Sequence, residues 1–333
     1  MAKKVFIATV ALLALSMMIA QGFACFGPIF PSPSRNVPAI VSTNWLLRNL
    51  HRKNLVVLDV RSSEAYSAGH IPGAVNVPEA EWYINDPFTV SPETPWMEMP
   101  PKEELFTLIG NAGIKRNSLV VVVGSTGGLL ESNFGPLALY STAGITRVAI
   151  TLLYAGVRNV AILDGGYEKW VMESKPTTTV STNPKPVKYC GRVNRIMVVS
   201  ADYVDDKIGT SVILDARDYD VYCNYTQEPW APKGGHIPTA KNLPTPELWN
   251  IKEDGAGNAV YITYKDIGSL KRMVFSVVGN NKNKEIIVYC GVGGYASTMY
   301  FVLSEVLGYR NVKIYDGSAQ EWELLDKPVE TCP

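Results

Sequence analysis

The stretch Leu55-Val-Val-Leu-Asp59-Val-Arg61 recurs later in the chain as Ser211-Val-Ile-Leu-Asp215-Ala-Arg217. Two further segments repeat in the same order: residues 69–76 return at 235–242, and residues 163–170 return at 315–322. The spacing is nearly constant and far longer than the period of a solenoid repeat. The chain is therefore predicted to contain two copies of one domain.

Each copy alternates short runs of β-branched residues with helical patterns. In the second copy we expect strands at Val212–Leu214, Glu285–Tyr289 and Val312–Tyr315, with a helix at Ala296–Leu307 between the last two. Strands that alternate with helices predict a mainly parallel sheet with helices on both faces. The predicted fold class is α/β, with two such domains.

The chain of 333 residues is long enough for two domains of ordinary size. We predict an N-terminal domain over residues 38–176, a linker over 177–192 and a C-terminal domain over 193–330. The linker begins with a run rich in Thr and Pro that has no hydrophobic periodicity. With 31 basic and 31 acidic residues, the sequence gives no indication of a nucleic-acid surface.

The first residues have the pattern of a secretory signal. Lys3 and Lys4 precede an apolar run over residues 5–20, and small residues follow at 22 and 24. The run is short for a transmembrane helix, which needs about 20 residues. Residues 1–24 are predicted to be a signal peptide, so the mature protein is expected to be exported, for example to a periplasm. Cleavage there would leave Cys25 first, so a lipid anchor on Cys25 is the alternative to a plain exported protein.

The segment most typical of chemistry is Ile286-Ile-Val-Tyr-Cys290-Gly291-Val292-Gly293-Gly294-Tyr295-Ala296. A buried strand ends at Cys290, a glycine-rich loop follows, and a helix begins, which is where α/β sheets bind ligands. Glycines let backbone N–H groups turn toward the sulfur, and the helix N-terminus adds partial positive charge. Both effects lower the pKa of a thiol. Cys290 is therefore a candidate nucleophile, and the alternative is an inert buried cysteine.

The order of these motifs resembles the C-terminal domain of tandem rhodaneses, which include thiosulfate and 3-mercaptopyruvate sulfurtransferases. The first copy resembles their N-terminal domain, so nearly all of the mature chain is covered. The resemblance implies that Cys290 takes a sulfane sulfur from a donor such as thiosulfate, becomes a persulfide, and passes the sulfur to cyanide or a thiol. No cofactor is implied. Loop amides would cradle the persulfide, and the loop residues are Gly291, Val292, Gly293, Gly294, Tyr295 and Ala296.

The first copy departs from this pattern. Gly124 follows the strand at the position that Cys290 occupies in the second copy, and no cysteine lies between residues 26 and 189. The first domain is therefore predicted to be non-catalytic and structural. The His-Ile-Pro motif occurs in both copies, with His70 in the first and His236 in the second. Because the first copy lacks a nucleophile, a structural role is expected for both histidines.

Cationic contacts for an anionic donor are scarce. Tyr222-Cys223 stands near the place where active family members often carry an arginine, and the chain has no arginine between Arg217 and Arg272. Arg217 and Lys233 remain the candidates for binding substrate. The scarcity favours an alternative function, a persulfide or sulfur carrier that delivers to a partner protein without turnover.

The chain has five cysteines and three histidines, without the spacing of a metal site, so no metal is predicted. In the fold that the resemblance implies, the linker and the C-terminal tail can both follow the second domain. This favours a disulfide between Cys190 and Cys332. The other pairing, between Cys223 and Cys290, would protect or resolve the nucleophile. We expect a monomer whose partners are a small sulfur donor and acceptor, with membrane contact only through a lipid on Cys25.

Overall fold

The computed structural model describes residues 36–84, 98–131, 135–231 and 233–333. The signal peptide predicted over residues 1–24 and the lipid site predicted at Cys25 lie outside these residues. From Val37 to Pro333 the described chain forms one unit.

The strands and helices are bounded as follows. The strands are β1 Ile40–Val41, β2 Leu55–Asp59, β3 Val75–Asn76, β4 Leu119–Val123, β5 Gly128–Leu129, β6 Asn159–Leu163, β7 Val198–Val199, β8 Val212–Asp215, β9 Lys241–Asn242, β10 Trp249–Glu253, β11 Asn258–Tyr264, β12 Ile286–Tyr289 and β13 Val312–Tyr315. The α-helices are α1 Thr43–Asn49, α2 Ser63–Ala68, α3 Lys102–Asn111, α4 Leu137–Tyr154, α5 Gly166–Met172, α6 Ala201–Asp206, α7 Tyr219–Tyr222, α8 Ile267–Val278, α9 Gly294–Phe301 and α10 Ser318–Leu324. Short 3-10 helices lie at Glu79–Trp82 and Thr245–Leu248.

Each domain is built on a parallel sheet of five strands, and the two sheets have the same topology. The first has the strand order β1-β6-β4-β2-β3, and the second has the corresponding order β7-β13-β12-β8-β9. Every pairing within these two sheets is parallel. The predicted α/β fold with two similar domains is confirmed.

The central strands are apolar along their whole length because helices cover both faces of each sheet. All residues of β4 and β12 are buried. Parallel strands covered on both faces have this continuous apolar pattern rather than an alternating one. The register pairs Tyr289 of β12 with Asp215 of β8, so both strands end at the same edge of the second sheet.

The two domains share one hydrophobic core. Helix α4 of the first domain packs against α9 of the second, and the hydroxyl oxygens of Thr146 and Thr298 lie 2.6 Å apart between them. Among the described helices, α4 is long and apolar enough to cross a membrane. Most of its residues are buried between the domains, which accounts for the apolar composition without a membrane.

Polar contacts also cross the domain boundary at equivalent points of the two copies. The carboxylate of Asp164 accepts a hydrogen bond from the backbone N–H of Tyr264 at 2.9 Å. The corresponding carboxylate, Asp316, forms a buried ion pair with Arg147 and accepts from the N–H of Met99 at 2.9 Å. An antiparallel hairpin, β10–β11, adds pairing between β11 and β5. The hairpin was not predicted from the sequence.

The helix after Cys290 differs from the predicted Ala296–Leu307. It begins at Gly294 and is α-helical to Phe301, after which Val302–Val306 form a π-helical turn. The helix begins earlier because Gly293 adopts the left-handed conformation that turns the chain, with φ of 91°.

The predicted Cys190–Cys332 disulfide is wrong, since Cys332 is bonded to Cys223. The linker follows the first domain, where Thr178 pairs with His70 and Val187 donates to Gly110. The tail follows the second domain instead.

The linker and the tail are equivalent elements of the two copies. Glu330 of the tail pairs with His236 as Thr178 of the linker pairs with His70. This pairing places Cys332 beside Cys223. Cys190 is also disulfide-bonded, but not to Cys332, and Cys290 is free, so the alternative Cys223–Cys290 pairing is wrong as well.

Replacing Cys332 with Ser should lower the free energy of unfolding by about 2–5 kcal/mol, because the bond closes a long loop of the unfolded chain. Urea unfolding of the oxidised proteins measures this difference. Thr331→Ser, a change of similar size on the same exposed tail, is the control and should unfold like the unaltered protein. An unchanged urea midpoint in Cys332→Ser would contradict the structural role of the bond.

Candidate active site

Cys290 lies at the carboxyl edge of the second sheet, directly after β12. Its backbone N–H donates to the hydroxyl of Ser318 at 3.2 Å, and its carbonyl accepts from the N–H of Ala319 at 2.9 Å. These contacts tie the end of β12 to the start of α10. The residue is only 3% exposed, and its thiol is free.

Backbone amides of the glycine-rich loop point at the sulfur. The N–H of Gly293 donates to Sγ of Cys290 at 3.1 Å. The N–H groups of Val292 and Ala296 also lower the pKa of the thiol. The loop is held from the other side by Thr245, whose hydroxyl donates to the carbonyl of Tyr295 at 3.0 Å. Three of the six predicted loop residues, Val292, Gly293 and Ala296, therefore direct backbone N–H groups at the sulfur, as an amide cradle for a sulfur anion requires.

The predicted lowering of the thiol pKa is wrong in its net direction. Burial raises the pKa of Cys290, and the nearby Glu228 carboxylate raises it further, against the three amides that lower it. Desolvation disfavours the charged thiolate more than the amides favour it. The sequence showed the amides but not how deeply the sulfur is buried.

A segment missed in the sequence covers the loop. A Cβ atom on Gly291 would lie 2.5 Å from Oε2 of Glu228 and 2.5 Å from Nε1 of Trp230. A side chain at residue 291 would therefore have to displace Glu228 and Trp230. Glu228 and Trp230 belong to residues 224–231, and we call this stretch the covering segment. The one sequence feature that could have indicated this segment is Glu228, a carboxylate close in sequence to the candidate cation Arg217.

Burial raises the pKa of Glu228 to about 7, against the Arg217 guanidinium, which lowers it. About 16% of the Glu228 side chain is exposed, but its Oε2 is shielded from solvent. Nη1 of Arg217 lies 3.6 Å from this oxygen.

The two predicted cationic contacts are both engaged by other groups. Nη2 of Arg217 lies 2.6 Å from the Asp215 carboxylate and 2.6 Å from the carbonyl of Gly235, and the side chain is 1% exposed. Nζ of Lys233 forms an ion pair with Asp326. Each of the two cationic side chains is therefore paired with an acidic residue. Their roles in substrate binding stay predictions.

The first domain forms one wall of the site. The ring of Tyr140 lies 5.8 Å from that of Tyr295, which in turn lies 6.1 Å from the ring of Trp249. A Cβ atom on Gly293 would lie 3.1 Å from Nη1 of Arg147. The first domain therefore contributes side chains to the surroundings of the loop.

The first domain has no space for a nucleophile of its own. A Cβ atom on Gly124 would lie 2.6 Å from Cγ1 of Ile145. A cysteine at this position would clash before its sulfur could be placed.

Both histidines of the repeated motif pack in the interior. His70 stacks on Tyr66 and His236 stacks on Tyr222, at centroid distances of 3.6 and 3.8 Å. Their Nδ1 atoms lie 2.8 and 2.9 Å from the carbonyl oxygens of these same tyrosines. In the described part of the chain no group of His, Cys, Asp or Glu side chains could hold a metal ion.

The model of the rhodanese-like domain matches the chain twice, over residues 42–173 and 200–325. The chain belongs to the rhodanese family. The duplicated sheets, the loop around Cys290 and the filled Gly124 site are therefore features of a tandem rhodanese, a class of sulfurtransferase.

Curated relatives of this rhodanese match along almost their whole length. A Synechococcus elongatus protein described provisionally as a thiosulfate sulfurtransferase is 30% identical over 322 residues, covering 96% of this chain and 94% of the relative. The thiosulfate sulfurtransferase of Corynebacterium glutamicum is 30% identical, with 88% and 90% covered. The sulfur carrier protein TtuD of Thermus thermophilus is 31% identical, with 87% and 95% covered.

Among solved structures, wild-type EanB superposes with a TM-score of 0.69 at 22% sequence identity, over 89% of this chain and 70% of that one. At this identity the likeness concerns the fold alone.

Because burial dominates, the rhodanese thiol should ionise at higher pH than an exposed cysteine, whose pKa is about 8.5. The rate of carbamidomethylation of Cys290, followed by mass spectrometry from pH 6 to pH 11, should therefore have its midpoint above that of an unstructured peptide with one cysteine. Cys290→Ser controls for reaction at other side chains. A midpoint equal to that of the peptide, or below it, would show that the amides outweigh desolvation.

Proposed function

We propose that this rhodanese is a sulfurtransferase that moves a sulfane sulfur from a donor such as thiosulfate to a thiol or cyanide through a persulfide on Cys290. The observation that carries the proposal is the hydrogen bond from the N–H of Gly293 to the free thiol of Cys290. The equivalent position in the other copy, Gly124, has neither a sulfur nor space for one.

In the first step the Cys290 thiolate attacks the outer sulfur of thiosulfate. The new S–S bond forms as the S–S bond of thiosulfate breaks, and sulfite leaves with the bonding electron pair. The product is a cysteine persulfide, whose terminal sulfur carries the negative charge. In this proposal, the loop amides that lower the pKa of Cys290 donate to the persulfide anion.

In the second step an acceptor thiolate or cyanide attacks the terminal sulfur. The bond from this sulfur to Sγ breaks, Cys290 returns as the thiolate, and the acceptor leaves as a persulfide or as thiocyanate. No oxidant or reductant is consumed, because the sulfur passes between two nucleophiles.

A second candidate is a carrier that holds the persulfide until a partner protein takes the sulfur. Two observations favour it. Cys290 is 3% exposed beneath the covering segment, which would shield a bound sulfur from small thiols. One relative at 31% identity is named a sulfur carrier protein.

We also propose that the protein acts outside the cytosol, as the pattern of residues 1–24 predicts. The Cys223–Cys332 disulfide supports this, because such bonds persist in oxidising compartments. Fractionation of cells expressing the full chain should find the mature protein outside the cytosol, without its first 24 residues by N-terminal analysis. A cytosolic protein with an intact N-terminus would contradict export.

Incubation with thiosulfate, followed by removal of small molecules, should raise the intact mass by one sulfur atom. The gain should map to the peptide containing Cys290 and vanish on adding cyanide, with thiocyanate as the product. Cys290→Ser should show no gain and no thiocyanate, while its circular dichroism spectrum and Cys223–Cys332 bond stay unchanged. Sulfur transfer retained in this variant would disprove the assignment.

Turnover separates the enzyme from the carrier. An enzyme should release many equivalents of thiocyanate or of acceptor persulfide per protein with small acceptors alone. A carrier should acquire one sulfur and release it slowly until a partner protein is added.

A further inference from the structure

The groups around Cys290 have an excess of negative charge. Arg217, the cation nearest to Glu228, is paired with Asp215, which neutralises it. Glu228 is a second carboxylate beside the same guanidinium, so among the described residues this group has one negative charge in excess whenever Glu228 is ionised. The glycine-rich loop itself contains neither Lys nor Arg.

Glu228 is close enough to the loop to act on molecules that approach the sulfur. Its Oε2 would lie 2.5 Å from a Cβ atom on Gly291, the residue next to Cys290. The same oxygen is shielded from solvent, and the nearest guanidinium nitrogen, Nη1 of Arg217, lies 3.6 Å away. A shielded charge is weakly screened, so it acts more strongly over a few ångströms than one on the surface.

The wall formed by the first domain contributes one cation, Arg147, whose charge is paired with the buried Asp316 carboxylate. The rings of Tyr140 and Tyr295 lie next to each other beside the loop. The negative charges of Cys290 and Glu228 contribute to raising the pKa of both tyrosines. Burial raises the pKa of Tyr140 to about 12, so its hydroxyl is neutral at ordinary pH. The faces of such rings attract cations rather than anions.

We propose that Glu228 selects the charge of the molecules that react at Cys290, so that neutral or cationic sulfur donors and acceptors react faster than anionic ones of the same size. This inference rests on Cys290 being the reactive thiol of the proposed function. It makes Glu228 a specificity-determining residue. Thiosulfate, a dianion, is then a donor that the ionised carboxylate opposes.

The selection should depend on pH. Burial raises the pKa of Glu228 to about 7, so the carboxylate is ionised above this pH and neutral below it. The charged and titratable groups that face it are Arg217, Asp215, Cys290, Tyr140 and Tyr295, together with the exposed Asp218. Discrimination against anions should therefore be strong at pH 8 and weak at pH 6.

Two alkylating reagents of nearly equal size test the charge effect. Iodoacetamide is neutral and iodoacetate is an anion, and both report on the same thiolate of Cys290. The ratio of their rate constants cancels any change in the thiol pKa. Glu228→Gln keeps the shape of the side chain and removes the charge, and Glu247→Gln makes the same change at an exposed carboxylate of the same domain.

At pH 8 we expect the ratio of the iodoacetamide rate to the iodoacetate rate to fall roughly tenfold in Glu228→Gln. In the unaltered protein it should fall as the pH drops to 6, while in Glu228→Gln it should not change with pH. Glu247→Gln should behave like the unaltered protein. An unchanged ratio in Glu228→Gln would overturn the proposal. Failure of both reagents to reach Cys290 would overturn it too, because size rather than charge would then exclude them.

The alkylation test is independent of sulfur transfer. A changed ratio without persulfide formation would reject the proposed function and keep the charge selection. Persulfide formation with an unchanged ratio would support the proposed function and reject the charge selection. Where both proposals hold, kcat/KM for thiosulfate at pH 8 should rise roughly tenfold in Glu228→Gln. The two negative charges of thiosulfate would then no longer be repelled by the carboxylate at residue 228.

Discussion

The buried ion pair between Arg147 and Asp316 joins the two domains beside the candidate active site. Arg147 comes from the long helix α4 of the first domain, and its side chain is completely buried. Asp316 also accepts from Met99, so its charge is satisfied from two elements of the first domain. Breaking a buried pair of this kind leaves an isolated charge, at a cost of about 3–5 kcal/mol. The turn at Gly293, whose N–H donates to Sγ of Cys290, lies against this pair.

The surroundings of Cys290 involve two opposed effects. Three backbone amides favour the thiolate, while burial and the Glu228 carboxylate favour the neutral thiol. A persulfide that is exposed to solvent can be lost to any thiol, so a covered sulfur has a use even though it ionises less readily. The covering segment would therefore protect a persulfide on Cys290 and would also limit access to it. In our proposal, the charge of Glu228 and the cover that this segment provides set which molecules reach the thiol.

Duplication explains much of the architecture, and the differences between the copies explain the division of roles. Both copies retain the stacked His-Tyr pair and a terminal segment that pairs with the histidine. In the first copy that segment is the linker, and in the second it is the tail. The two copies differ at the nucleophile position, where the second has Cys290 and the first has Gly124. Ile145 fills the space next to Gly124. The first domain has a filled site at Gly124 and contributes a wall to the site around Cys290.

The sequence by itself determined the two α/β domains, the linker and the position of Cys290 at a strand end. These properties depend on local patterns, since apolar runs, glycines and repeated motifs act over a few residues. Only the tertiary structure decided the partner of Cys332, the pairing of β11 with β5, the place of Glu228 and the direction of the Cys290 pKa shift. Each of these depends on which distant segments meet. The path of the tail decides the disulfide, and the depth of the sulfur beneath the covering segment decides how much desolvation opposes the amides.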